Sequence, residues 1–123
     1  LGMNNTRFEN ASGLDYKDQH TTASDMAKLA SATIRDFPEF YPWYSEKEFT
    51  YHDIKQRNRN KLLWSDNTVD GLKTGFTEKA QYNLVASANR MGMRLISVVL
   101  GSSSGESRTA QTQKVLDYGF RFF

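Results

Sequence analysis

The chain has 123 residues, of which 16 are Lys or Arg and 14 are Asp or Glu, so its formal charge is only +2. Hydrophobic residues make up 38% of the chain, enough for the core of one domain, and the absence of Cys excludes disulfides, thiolate nucleophiles and Cys-based metal sites. A small, dispersed charge argues against a nucleic-acid partner, and no stretch approaches the ~20 consecutive apolar residues that span a bilayer.

The first predicted element is a helix. Residues 1–20 are rich in turn formers and predict an ordered loop. A capping sequence, Thr22 to Asp25, follows, and apolar residues then recur at helical spacing until Pro38. The pattern predicts a helix over residues 23–36.

Aromatic residues and a hairpin signal come next. The aromatic run 40–44 predicts a short turn packed on the core, with a stacking platform as the alternative. Two strand-forming segments, 48–51 and 54–56, flank His52-Asp53 and predict a β-hairpin.

Three further strands and a closing helix complete the pattern. Segment 69–77 suggests a strand, and Tyr82 to Ala88 alternates between apolar and polar residues. Leu95 to Leu100 is almost continuously apolar, which predicts a buried central strand. An apolar stripe from Glu106 onward predicts a helix. The fold class is therefore α+β, with an antiparallel sheet and flanking helices in an αβα sandwich.

The sequence gives little support for a metal or a nucleotide cofactor. His20 and His52 each lack a second ligand at helical spacing, so we interpret both as turn histidines. The glycine-bounded loop 101–107 is one residue short of a phosphate-binding loop and has Glu106 where the phosphate-binding Lys belongs. We therefore predict no metal and no cofactor.

The most informative segment is Lys73-Thr74-Gly75. On a strand, Lys73 and Gly75 project to one face and Thr74 to the other, which sets an ammonium beside a bare backbone. An anionic, peptide-like ligand suits this arrangement, because Gly75 lets a ligand backbone pair with the strand. The alternative is that the glycines only mark bulges.

This triplet is the third motif of the active-site-serine penicillin-recognising enzymes. Seven segments, in order, carry a wider resemblance: Phe8 to Asp15, Asp25-Met26-Ala27, Glu46 to Thr50, Asn58 to Trp64, Val69 to Gly75, Tyr82 to Ala88 and Gly119 to Phe123. Together they resemble the low-molecular-mass penicillin-binding proteins, the D-alanyl-D-alanine carboxypeptidases of the penicillin-binding protein 5 and 6 type. A β-lactamase half would share the triplet but not the Asn-Arg-Asn or Gly-Phe-Arg-Phe-Phe context.

The family's nucleophile is not among these residues. No Ser is followed three residues later by Lys, so the Ser-x-x-Lys motif is missing. Ser65-Asp66-Asn67 spells the second motif, but it lies on the turn that enters the strand of Lys73, whereas the family's second motif lies upstream, on the opposite wall of the cleft. We therefore expect residues 1–123 to be the C-terminal part of a penicillin-binding catalytic domain whose upstream portion is absent, and the chain alone to be inactive.

The resemblance implies a role for each matching residue. Lys73 and Thr74 would be catalytic and, with Gly75, would bind substrate on the edge strand. The backbone N–H of Phe76 would be an oxyanion-hole donor; many relatives have His at this position. Arg59 and Arg108 are candidates for binding the carboxylate of the terminal D-Ala, although Arg108 could instead form a surface salt bridge with Glu106 or Asp117.

The resemblance also implies the partners. They are a peptidoglycan stem peptide ending in D-Ala-D-Ala, β-lactam antibiotics and the upstream segment of the same domain. The full-length protein would be periplasmic and associated with the inner membrane only through a C-terminal anchor absent here. The alternative function is a non-catalytic fragment that binds peptidoglycan peptides or acts as a scaffold.

Overall fold

The computed structural model describes all residues 1–123. In chain order, the elements are α1 (Ala23–Asp36), a 3-10 helix (Tyr41–Ser45), β1 (Glu48–Tyr51), β2 (Ile54–Arg57), α2 (Leu62–Ser65), β3 (Val69–Thr77), β4 (Gln81–Arg90), β5 (Met93–Ser102) and α3 (Gly105–Phe122). None of the helices combines the length and the apolar character needed to cross a membrane.

Helix α1 has the predicted bounds. The Thr22 hydroxyl accepts a hydrogen bond from the backbone N–H of Asp25 at 3.1 Å, which satisfies one of the free amides at the helix N-terminus. The helix ends at Asp36, before Pro38, which cannot continue it. Helix α3 begins in the same way, since the Ser104 hydroxyl accepts from the N–H of Ser107.

The main sheet has three antiparallel strands in the order β3-β4-β5. The predicted pairing of the last two strands is confirmed: Val85 lies opposite Val98, and Met91 and Gly92 form the tight turn with positive φ. The prediction that Leu95 to Leu100 forms a central strand is wrong for residues 1–123, in which β5 lies at the sheet edge and β4 is central. Helices on both faces of β5 account for its apolar run.

Helices cover both faces of this sheet. On one face, α2 and α3 pack on β4 through a core of Leu62, Leu63, Val69, Leu84, Ala86, Ala88 and Leu116. On the other face, α1 and the 3-10 helix pack through Ala30, Tyr41, Leu72 and Val85. The αβα arrangement predicted from the sequence is confirmed.

The predicted hairpin is also confirmed. Strands β1 and β2 pair with Tyr51 opposite Ile54, and His52 and Asp53 form the turn with φ of 48° and 62°. Every residue of the two strands is exposed, so the hairpin projects from the sandwich. The aromatic segment before it is a 3-10 helix, in which Tyr41 is buried and Trp43 is 68% exposed.

Candidate functional site

Strand β3 carries the Lys-Thr-Gly triplet along a sheet edge. Lys73 lies opposite Val85, and Thr74 lies opposite Leu84. Val85 belongs to the core under α1, and Leu84 belongs to the core under α3. Because directly opposite residues share a face, Lys73 and Thr74 project to opposite faces, as the alternation predicts.

The space around the triplet is open. The Lys73 side chain is exposed, its Nζ donates to the Thr74 carbonyl oxygen at 2.8 Å, and no carboxylate forms an ion pair with it. A Cβ atom at Gly75 would meet no other atom within 4 Å. An uncompensated ammonium therefore stands beside an unobstructed stretch of strand backbone, which is the geometry that an anionic, extended ligand needs.

Two clefts meet at this strand. The first, of about 680 Å³, lies between the sheet and the N-terminal loop, and its lining includes Lys73, Thr74 and Gly75. The second, of about 670 Å³, is lined by Lys73 and Thr74 as well, together with Arg59. The structure therefore brings four of the six predicted site residues to two adjoining clefts that share Lys73 and Thr74.

Arg108 lies in the first turn of α3 and is only 8% exposed. Its Cζ is 5.4 Å from the centroid of the Tyr82 ring, and its Nη1 donates to the Asn83 carbonyl oxygen at 3.5 Å. Burial lowers the pKa of Arg108, and the positive charge of Arg59 lowers it further. The two arginines are thus electrostatically coupled, with no carboxylate partner for Arg108.

The alternative of a salt bridge from Arg108 is wrong. Asp117 pairs instead with Arg90 at 2.9 Å, and Glu106 forms no ion pair with Arg108. The Nε of Arg108 is buried without a hydrogen-bond partner. The Arg108 guanidinium is therefore desolvated and has one donor without a partner, and Arg108 is not among the residues that line either cleft.

Tyr82 connects two of the predicted site residues and was not itself predicted. Its ring lies 4.4 Å from that of Phe76, which is directly opposite it in the sheet, and it also lies beneath Arg108. Phe76 is 52% exposed. The only signal for this contact is the β3–β4 register, which the sequence predicts too coarsely to pair individual residues.

The N-terminal loop forms a wall of the first cleft, and sequence reasoning missed this role. The loop contributes His20, whose Nδ1 is 2.8 Å from the Asp18 carbonyl oxygen. Asp15, also in the lining, accepts a hydrogen bond from the Thr77 hydroxyl at 2.8 Å, which ties the loop to the end of β3. These residues lie more than fifty positions before Lys73, so no local pattern links them to it.

The copy of the second motif at residues 65–67 has a structural role. The Asp66 carboxylate accepts hydrogen bonds from the Thr68 N–H at 2.9 Å and hydroxyl at 2.6 Å, from Arg90 at 3.0 Å and from Gln113 at 3.1 Å. Burial raises its pKa, but these donors outweigh burial and lower the pKa to about 2. Asp66 therefore stabilises the turn before β3 and its contact with α3.

The chain matches one protein family over most of its length. A family model described as D-alanyl-D-alanine carboxypeptidase matches residues 1–104. The D-alanyl-D-alanine carboxypeptidase DacC of Escherichia coli K12 is 55% identical over 124 residues, which cover 100% of this chain and 31% of that protein. The chain thus spans about a third of the length of the curated relatives it matches.

Solved structures give the same result. Penicillin binding protein 5 from Haemophilus influenzae is 50% identical, with a TM-score of 0.94 over 98% of this chain and 36% of that one. Penicillin-Binding Protein D2 from Listeria monocytogenes, in its cefotaxime-bound form, is 39% identical, with a TM-score of 0.86 over 94% of this chain and 48% of that one. The fold of this chain is therefore the fold of the corresponding part of those proteins.

Proposed function

Because this chain belongs to the D-alanyl-D-alanine carboxypeptidase family, we propose that it is part of a serine-type D-Ala-D-Ala carboxypeptidase. The full-length enzyme removes the terminal D-Ala from peptidoglycan stem peptides, and residues 1–123 form the C-terminal part of its catalytic domain. The observation that carries the proposal is the Lys73-Thr74-Gly75 strand, with its open edge and its uncompensated positive charge.

The reaction proceeds through an acyl-enzyme. A Ser in the remainder of the domain attacks the carbonyl between the two D-Ala residues, the C–N bond breaks, and the terminal D-Ala leaves with a proton on its amine. Water then hydrolyses the ester and restores the Ser hydroxyl. The Lys73 ammonium faces the reacting centre and favours the developing negative charge, while Thr74 supplies a hydroxyl.

The Phe76 backbone N–H is one of two oxyanion-hole donors, the other being the N–H of the nucleophilic Ser. A missing donor typically costs ~2.7–4 kcal/mol in the transition state. A backbone donor is independent of the side chain, so Phe76 serves this role as well as the His of many relatives does. Any contribution from an imidazole at this position is lost in this chain.

The two arginines select a free C-terminus. Arg108, desolvated and without a carboxylate partner, binds the carboxylate of the terminal D-Ala, and Arg59 adds positive charge at the second cleft. Guanidinium and carboxylate groups match in geometry as well as in charge, so a peptide that continues beyond D-Ala is disfavoured.

β-Lactams acylate the same Ser in this proposal. Support comes from Penicillin-Binding Protein D2 from Listeria monocytogenes, which is 39% identical to this chain and was solved in its cefotaxime-bound form. The substrate places the enzyme in the periplasm, with association to the inner membrane through a C-terminal anchor outside residues 1–123.

The alternative is a non-catalytic protein that binds peptidoglycan peptides. The observation in its favour is that Gly75 and the open β3 edge can pair with a peptide without any nucleophile in these residues. The two functions differ in covalent chemistry, because only the enzyme forms a stable adduct with penicillin.

The test is made on the full-length protein. Purified protein is incubated with fluorescent penicillin and with a pentapeptide ending in D-Ala-D-Ala, and covalent label and released D-Ala are measured. We expect stoichiometric labelling and D-Ala release in the wild type, a strong loss of both in Lys73→Ala, and no change in Lys79→Ala, an exposed Lys in the β3–β4 turn. Reversible peptide binding without labelling or release would favour the binding protein instead.

A further inference from the structure

Strand β3 contains a bulge three residues before Lys73. Val69 lies opposite Ala88 and Gly71 lies opposite Ser87, so two steps on β3 match one step on β4. Asp70 is the extra residue and has no partner in the ladder. A bulge of this kind bends the strand and changes the direction in which later side chains project.

The Asp70 carboxylate is held by side chains from two other elements. Arg94 on β5 donates to both of its oxygens, at 2.8 Å and 2.9 Å, and the Tyr41 hydroxyl donates to Oδ1 at 2.9 Å. Arg94 also donates to the Ser87 hydroxyl at 2.8 Å, so the contact crosses the whole sheet from β3 to β5. This arrangement is a bidentate ion pair with one added hydrogen bond, and two parallel hydrogen bonds restrict the orientation of the Asp70 carboxylate as well as its distance from Arg94.

Gly71 makes room for this contact. A Cβ atom at residue 71 would lie 2.5 Å from the Tyr41 hydroxyl oxygen, closer than real Cβ atoms approach, so only glycine allows Tyr41 to reach Asp70. Asn60, which is buried, donates to the Gly71 carbonyl oxygen at 3.0 Å. The bulge is therefore fixed through both its carboxylate and its backbone.

The bulge determines the register of the Lys-Thr-Gly triplet. Without it, the pairing of Val69 with Ala88 would continue regularly and place Lys73 opposite Leu84, which faces α3. With it, Lys73 lies opposite Val85, which faces α1. A shift of one residue exchanges the two faces of a strand, so the bulge decides on which face of β3 the Lys73 ammonium projects.

We infer that Asp70, held by Arg94 and Tyr41, is a positioning residue that fixes the bulge and thereby the face on which Lys73 acts. The inference rests on the proposed function because it assumes that Lys73 acts on the substrate. The part of the inference that concerns the register of β3 is independent of that function, since it can be tested without measuring activity.

The experiment compares Asp70→Asn with Asp66→Asn in the full-length protein. Both changes remove the charge of an Arg-paired carboxylate, one at the bulge and one at the turn before β3. We expect Asp70→Asn to lower the second-order rate of penicillin acylation and the kcat for peptide by about ten- to a hundredfold, with a smaller change in KM. Asp66→Asn should lower the melting temperature and leave both rates unchanged. Arg94→Lys keeps the positive charge but loses the planar guanidinium that donates to both Asp70 oxygens, so it should give an intermediate loss of acylation rate and kcat.

A second readout separates register from activity. Hydrogen exchange of the amides in residues 71–77 should become faster than that of the β4 amides in Asp70→Asn, whereas in Asp66→Asn any acceleration should be the same in both strands. Unchanged acylation and unchanged exchange in a folded Asp70→Asn protein would overturn the inference, and equal rate losses in the two variants would do the same.

If Asp70→Asn does not fold, Tyr41→Phe replaces it in the experiment, because this change removes only the hydroxyl that donates to Asp70. Wild-type rates and wild-type exchange in Tyr41→Phe would refute the inference. A wild-type protein that penicillin does not label would refute the proposed function, while the exchange data would still decide the register.

Discussion

The guanidinium of Arg108 lies over the ring of Tyr82, with its Cζ 5.4 Å from the ring centroid, and no carboxylate of the chain pairs with it. The aromatic face partly compensates the desolvated charge, while one buried donor remains free. This combination distinguishes Arg108 from Arg90 and Arg94, which both pair with carboxylates.

Replacing Arg108 by Ala should mainly weaken peptide turnover. A charge-assisted contact with a carboxylate is worth ~1.5–3 kcal/mol, so kcat/KM of the full-length enzyme for a D-Ala-D-Ala peptide should fall about ten- to a hundredfold. The rate of penicillin acylation should change much less. Steady-state kinetics and acylation rates decide the matter, and equal losses on the two substrates would contradict the carboxylate role.

Replacing Lys73 by Ala should lower both reactions, because the proposed function has its charge acting near the reacting carbonyl. Loss of electrostatic stabilisation at a reacting centre typically costs about 10²–10³ in rate. The measurement is the acylation rate with penicillin and kcat/KM with peptide, with Lys79→Ala as the control for loss of a surface charge. Wild-type rates in Lys73→Ala would exclude the Lys-Thr-Gly strand as part of the active site.

The isolated 123-residue chain should not react with penicillin. Covalent acylation needs a Ser activated by a neighbouring base, and no Ser-x-x-Lys occurs in these residues. Intact-mass spectrometry after incubation with excess penicillin should show the unmodified mass, with the full-length protein as the positive control. A stoichiometric adduct on the isolated chain would reveal a nucleophile outside any Ser-x-x-Lys motif.

Local signals in the sequence predict the helices and strands well. The Thr22 cap and Pro38 mark the two ends of α1, and the dipeptide His52-Asp53 marks the hairpin turn. The four-residue helix α2 was not predicted, because a single helical turn leaves no periodic pattern.

Contacts between distant segments are less predictable. The apolar run in β5 indicates that both faces are covered, but it carries no information about which strand lies beside it. Tyr41, Asp70 and Arg94 meet from three elements, and neither charge pattern nor spacing indicates their contact. The Lys-Thr-Gly triplet is recognisable from the sequence. The face of β3 on which Lys73 projects depends on a bulge, and only the strand register reveals that bulge.

Acid should destabilise the domain partly through Asp66. Its pKa of about 2 in the folded state lies below the ordinary value of ~3.9, so its contribution to stability is complete above about pH 4 and is lost as pH falls through about 2. The carboxylate is largely buried, and the contribution is of order 1–2 kcal/mol. Urea unfolding of the full-length protein at pH 7 and pH 3 should show a smaller acid-induced loss in Asp66→Asn than in the wild type. Identical pH dependence in the two proteins would contradict this assignment.

The isolated chain should self-associate through the outer edge of β5. In the order β3-β4-β5, this edge has no partner strand within residues 1–123, although β5 is ten residues long and rich in β-branched and apolar side chains. An unpaired edge of this kind is a template for pairing with another chain. We expect the isolated chain to aggregate or to form oligomers in sedimentation experiments. Leu100 is 41% exposed on this strand, and Leu100→Lys should reduce association because an edge lysine disfavours pairing.

Co-expression with the upstream part of the domain should give a stable complex by covering the same edge. A monodisperse monomer that unfolds cooperatively would contradict the prediction, and association unaffected by Leu100→Lys would locate the contact elsewhere.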